Sequence, residues 1–123
     1  MNDANAMIER WVASWHDPDP DRRRITIDEL WAADCDYRNA RAEFTGRDGI
    51  QEAVTAAHQT WVTQGYVFRL ARVDRNHDAI RCVWEMVPGE GGEPASVGTH
   101  FATVDQDGHL ISDHQFIDLA PPA

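Results

Sequence analysis

Four side chains in this chain have the types and the spacing to move a proton: His100, Asp113, Tyr37 and Asn39. The first two fall in Ser96 to Asp118, SVGTHFATVDQDGHLISDHQFID, where two alternating segments joined at Asp105-Gln106-Asp107-Gly108 read as a β-hairpin. Counting by twos puts Gly98, His100, Ala102 and Val104 on one face of the first strand, and Asp113, Gln115 and Ile117 on one face of the second. A loop of two or four residues sets His100 directly across from Asp113, whereas a three-residue loop with a glycine bulge moves the partner to His114. An imidazole titrates within the cellular pH range, so His100 can give or take a proton. Its ordinary alternative is a core histidine satisfied by one hydrogen bond. Asp113 is either the carboxylate that fixes the tautomer of that ring or the base itself, against the plainer reading of a solvated acid at a strand end. Tyr37 and Asn39, two apart, point the same way from a short strand and can hold a water or a carbonyl oxygen, unless they are simply a strand-edge pair.

These residues sit in a chain of 123 residues, the size of one domain spanning 1–123, with a flexible tail expected over 119–123. The net charge of -10 argues against nucleic acid or an anionic membrane surface as partner, because phosphate binding needs clustered cations. The basic run Arg22-Arg23-Arg24 follows Asp17, Asp19 and Asp21 and is locally neutralised. All eleven cationic side chains are arginine, which removes Schiff-base chemistry, a lysine nucleophile and a P-loop. Cys35 and Cys82 lie far apart without a metal spacing and read as reduced and buried, in a cytoplasmic protein. The opening MNDANAMIERW has neither the cationic start nor the apolar run of a signal peptide, and no segment approaches a membrane span. His16, His58, His77, His109 and His114 show no zinc spacing, and G-x-S-x-G and G-x-G-x-x-G are absent, so neither a metal nor a cofactor is expected.

The elements that must position the four candidates follow from periodicity. Met7, Ile8, Trp11, Val12 and Trp15 recur at helical spacing over about Asp3 to His16, with Asp3 or Asn5 available as cap, and Asp17-Pro18-Asp19-Pro20-Asp21 stops the helix. A short second helix is expected to open at Thr26, with Glu29 reaching back, and to bury Ile27, Leu30 and Trp31. Cys35 to Ala40 reads as a strand. A third helix, about Arg47 to Thr63, carries Ile50, Val54, Ala57 and Trp61 on its apolar face, and Gly65 closes it. The rest is β: Tyr66 to Asp74, a turn at 75–78, Ala79 to Val87, a Gly- and Pro-rich connection, then the hairpin. Helices first and an antiparallel meander afterwards is the order of an α+β fold.

Several strings resemble the nuclear transport factor 2-like superfamily, in its SnoaL-like and ketosteroid-isomerase-like branch. They are the helix with Trp11 and Trp15, the run Leu30-Trp31-Ala32-Ala33-Asp34-Cys35-Asp36-Tyr37, the Gly46-Arg47-Asp48-Gly49-Ile50 entry to the third helix, and Asp107-Gly108-His109-Leu110-Ile111. The resemblance implies a cystatin-like cone, a curved antiparallel sheet wrapped around a pocket closed by three N-terminal helices, with a homodimer through the outer sheet face. In the steroid isomerases the oxyanion-donating tyrosine, the base aspartate and the protonated aspartic acid would fall on Trp11, Asn39 and His100, so all three groups differ here. The SnoaL-like cyclases place a histidine and an aspartate on the last two strands, as His100 and Asp113 do. The limonene-epoxide-hydrolase-like branch resembles Tyr37, Asn39 and Asp113, but its arginine and acid aspartate would fall on Gly98 and His100.

The reading that follows is a small-molecule pocket protein: a cofactor-free isomerase, cyclase or dehydratase acting by proton transfer on a hydrophobic or aromatic metabolite. His100 is the acid–base group, Asp113 its partner, and Tyr37 with Asn39 the donors to the oxygen that gains charge. Trp11, Trp15, Trp61, Trp84, Gln115 and His58 are expected around the ligand, since indole walls suit a flat apolar molecule. The alternatives are a non-catalytic binding module of the same fold and an epoxide hydrolase. Phe101 and Phe116, facing outward, are the expected dimer contact.

Overall fold

The computed structural model describes residues 3–122, apart from the side chain of Asp3. The expected Asp3 cap and the last tail residue, Ala123, therefore lie outside the described residues. Helix α1 (Asp3–His16) buries Ala4, Ile8, Trp11, Val12 and Trp15 along one stripe, the helical spacing read from the sequence. Asn5 lies inside it and donates to Glu9.

Helix α2 (Pro20–Leu30) starts six residues before the expected Thr26. Asp19 is its N-cap, accepting the Asp21 N–H at 2.9 Å, and Pro20 takes the first helical position, where a missing N–H costs nothing. The same Asp-Pro string thus ends one helix and begins the next. Strand β1 (Trp31–Arg38) follows without a loop, so Trp31 belongs to the sheet and not to the helix face, and Asn39 and Ala40 lie beyond the strand.

A three-residue strand β2 (Glu43–Thr45), absent from the sequence reading, leads into α3 (Gly46–Thr60). Helix α3 buries Ile50 and Val54 and gives way to a 3₁₀ turn over Val62–Gln64, closed by Gly65 in the left-handed region at φ 96°. Strands β3 (Tyr66–Asn76), β4 (Ala79–Pro88), β5 (Ser96–Val104) and β6 (Leu110–Leu119) complete the chain, so Leu119 of the expected tail is in a strand.

The six strands form one curved sheet in the order β2-β1-β6-β5-β4-β3, with β2 and β3 as open edges. All neighbours are antiparallel except β1 and β6, which run parallel, so the sheet is mixed where an antiparallel one was expected. A parallel neighbour is possible because β1 reaches β6 through the whole intervening chain and not through a hairpin. Register shifts at Leu70/Arg72, Val97/Gly98, Thr103/Val104 and Trp31/Asp36 supply the local bends that curve the sheet. Helices α1 and α3 cover the concave side, α1 against β3 and α3 against β1, and the buried core lies between these layers.

Candidate active site

The β5–β6 register decides what His100 meets. His100 pairs with Gln115, Ala102 with Asp113 and Phe101 with His114, so neither expected pairing occurs. The cause is the shift between Thr103 and Val104, where Ser112 and Leu110 are the partners and Ile111 is extra. Both faces are nonetheless as the period of two requires: His100 and Asp113 point inward, 4% and 2% exposed, while His114 is exposed on the outer face. The imidazole reaches diagonally, and its Nδ1 lies 2.6 Å from Asp113 Oδ2. A carboxylate can only accept, so Nδ1 carries the hydrogen and donates. In the neutral ring Nε2 is then the lone-pair nitrogen, and it is buried without a protein partner, as is Asp113 Oδ1.

His100 also lines a cavity of about 410 Å³ enclosed by the sheet and the helices. Trp11, Trp15, Trp61 and Trp84 line it with Phe44, Phe68 and Met86, and Gln115 faces it from β6. Tyr37 stacks on the imidazole with ring centroids 6.0 Å apart and planes 21° from parallel, and Phe44 stacks on Tyr37 at 5.6 Å. Trp15 lies against the imidazole at 5.8 Å, tilted by 37°. The imidazole is therefore held within an aromatic enclosure.

Burial pushes the Tyr37 phenol well above its usual range, with the Asn39 side chain, through its hydrogen bond, pulling the other way. Tyr37 is accordingly an O–H donor at neutral pH. Asn39 also holds the turn beyond β1. Its Oδ1 accepts the N–H groups of Arg41 and Ala42, both at 2.9 Å, which folds the chain between β1 and β2 into a tight turn. The residue lines the cavity, but its carbonyl oxygen is committed to that turn.

His58 was expected in the pocket and is not among the residues lining it. Its Nδ1 lies 2.9 Å from the Trp15 carbonyl oxygen, tying α3 to α1. Arg41, which the sequence reading passed over, does line the cavity. The signal that could have found it was the Asn39-Ala40-Arg41-Ala42 turn sequence, two residues beyond a candidate tyrosine. Exposed lining residues, Arg41, Ala56, Thr60, Ile117 and Pro121, mark the opening, and buried His100, Trp11 and Trp15 mark the deep end.

Cys82, on β4 beside His100, is a thiol pushed up to about 12 by burial and by the Asp113 charge. It is inert as a nucleophile at neutral pH. Among the described residues, one cluster could offer atoms to a metal: Asp105, Asp107 and His109, at the β5–β6 turn and away from the cavity lining. There Asp105 Oδ1 already accepts the N–H groups of Asp107 and His109. Among the described residues, no helix is long and apolar enough to cross a membrane.

The SnoaL-like domain family matches residues 8–114. Among solved structures, the chain is 25% identical to a candidate isomerase of the SnoaL-like family from Agrobacterium tumefaciens, with a TM-score of 0.85 over 96% of this chain and 99% of that one. A candidate polyketide cyclase from Sinorhizobium meliloti, 17% identical, has a TM-score of 0.69 over 90% and 94%. A cystatin-like-fold protein from Nostoc punctiforme, 16% identical, has a TM-score of 0.73 over 95% and 90%. No curated protein matches. The family match takes in the first helix, the sheet through Asp113 and the stacked aromatic rings between them, and on that ground the chain belongs to the SnoaL-like domain family.

Proposed function

We propose that this protein is an acid–base enzyme, an isomerase, cyclase or dehydratase, acting on a hydrophobic or aromatic carbonyl compound held in the aromatic cavity. The observation that carries the reading is the His100–Asp113 pair, 2.6 Å apart, with the opposite ring nitrogen left without a protein partner in the cavity wall. Nε2 takes a proton from the carbon next to the carbonyl, and Asp113 stabilises the imidazolium that forms. The oxygen that gains charge accepts a hydrogen bond from the Tyr37 hydroxyl. The Trp84 indole N–H, also buried and without a partner, is a second donor in the same wall. The proton then returns to a different carbon in an isomerisation or leaves with a hydroxyl group in a dehydration. In a cyclisation the enolate carbon attacks a second carbonyl, whose oxygen takes the proton back from the imidazolium. No cofactor takes part in these steps.

The likeness to a candidate isomerase and a candidate cyclase supports this choice of reactions. Two buried free cysteines fit a reducing compartment, and the reading assigns the activity to the cytoplasm. Epoxide hydrolysis is less well supported, because the Asn39 oxygen that would hold the water is occupied by Arg41 and Ala42.

Exchange in deuterated water tests the proposal. Aromatic and polycyclic ketones are incubated with the protein, and deuterium next to the carbonyl is read by mass spectrometry. His100→Gln is expected to slow exchange at least ~100-fold, the lower end of what a positioned acid–base group supplies, and Asp113→Asn by a smaller factor. Unchanged exchange in both variants would dismiss these roles. A binding module without chemistry remains the second reading, favoured by Trp11, Asn39 and His100 standing where the steroid isomerases carry their three working groups, and recovery of altered ligand excludes it.

A further inference from the structure

The geometry points to an anionic group on the ligand, seated against Arg41 at the rim, so that the molecule taken in is a hydrophobic acid with its reactive carbonyl at the far end. The inference rests on the cavity being the ligand site of the proposed function. Arg10, Arg22, Arg24, Arg38, Arg69, Arg72 and Arg81 are in ion pairs with carboxylates. Arg23, Arg47 and Arg75 donate to backbone oxygens. Among the described residues, the guanidinium of Arg41 alone has neither a carboxylate nor a backbone oxygen as partner.

In a chain of net charge -10, a guanidinium left unpaired is unusual, because acids are available nearly everywhere on the surface. Arg41 lines the cavity unpaired, and no carboxylate lines that cavity with it. Its backbone is also fixed, since Asn39 Oδ1 accepts the Arg41 N–H and the Asn39 N–H reaches the Ala42 carbonyl at 3.0 Å. The walls between Arg41 and His100 are aromatic and aliphatic, so a ligand spanning them needs an apolar body. A planar guanidinium is suited to holding a carboxylate by paired hydrogen bonds. Arg41 therefore orients the acid end outward and sends the opposite end toward Nε2.

Two fluorescent probes with one aromatic body separate charge from fit: 1-anilinonaphthalene-8-sulfonate, which is anionic, and N-phenyl-1-naphthylamine, which is neutral. Arg41→Gln is expected to weaken the sulfonate about tenfold, the order for losing one charge-assisted hydrogen bond, and to leave the neutral amine unchanged. Arg72→Gln, whose guanidinium pairs with Asp74 outside the cavity, is expected to change neither. Equal losses for both probes in Arg41→Gln, or a loss for neither, would overturn the assignment while leaving the cavity a ligand site. A wild-type protein that does not bind the neutral amine would remove the cavity reading underneath it, and the assignment with it.

Discussion

The ring of His16 accepts the Phe68 N–H at Nε2, 2.9 Å away, and so joins the end of α1 to β3 only while that nitrogen is unprotonated. Burial lowers its pKa below the ordinary 6.5; a hydrogen bond with the Val12 backbone opposes this, and the nearby His58 adds to it. The unfolded chain consequently binds this proton more readily than the folded one. The contribution of His16 to stability is full above pH 6.5 and is lost as the pH falls from 6.5 toward the lower folded-state value. The melting temperature is expected to drop between pH 7.5 and 5.5. His16→Gln, which retains an acceptor for Phe68, should flatten that drop, and an equal drop in the variant would refute the assignment. His100 is held the other way, with its hydrogen-bearing nitrogen given to Asp113 and its basic one left free. That histidine and its partner were legible as types on the right faces. Their diagonal contact was not, because one extra residue at Ile111 changes the register and only tertiary fit places a bulge.

At the scale of elements, β4 and β5 approach each other through one glycine. Gly98 pairs with Trp84, and a Cβ on Gly98 would stand 2.3 Å from Cζ2 and 2.5 Å from Cε2 of that indole. The indole cannot simply swing aside, because Phe68 and Trp15 meet it edge-on at 5.2 and 6.5 Å. Gly98→Ala is expected to destabilise the protein by about 1–3 kcal/mol, the usual cost of overpacking, and to shift tryptophan emission as Trp84 is driven toward the cavity. A urea midpoint equal to that of the wild type would show that the wall yields freely. Sequence patterning marked Gly98 as inward-facing, and it put Trp11 and Trp15 on the buried face of α1 for the same reason: alternation and helical spacing report which side of an element is buried. It missed β2, which is too short to show a period. It read Asp19-Pro20 only as a stop, although a cap followed by proline is equally a start. Arg41 and the Asn39 turn were passed over for a related reason, since a turn held by side-chain-to-backbone bonds has telling residue types but no periodicity.

For the whole molecule, the convex face of the sheet is the part left without a covering layer. Phe101 and Phe116 stand there 50% and 57% exposed on adjacent strands, with Arg81 and His114 flanking Phe101. Two large aromatic side chains on one uncovered face favour a second copy packed sheet to sheet. Sedimentation at micromolar concentration is expected to give twice the chain mass, and Phe116→Asp to return it to one. A wild-type protein sedimenting at one chain mass would contradict the dimer.

Strand β6 lies between β1 and β5 although it is made after both. While the ribosome still holds it, β1 and its short hairpin have no inner neighbour, and the carboxylate that orients the imidazole has not yet arrived. Enclosure and acid–base pair are thus completed together, in one late insertion. A nascent chain interrupted before Leu110 would carry the helices, all five indoles and the histidine, yet neither a finished hollow nor the carboxylate that the imidazole meets.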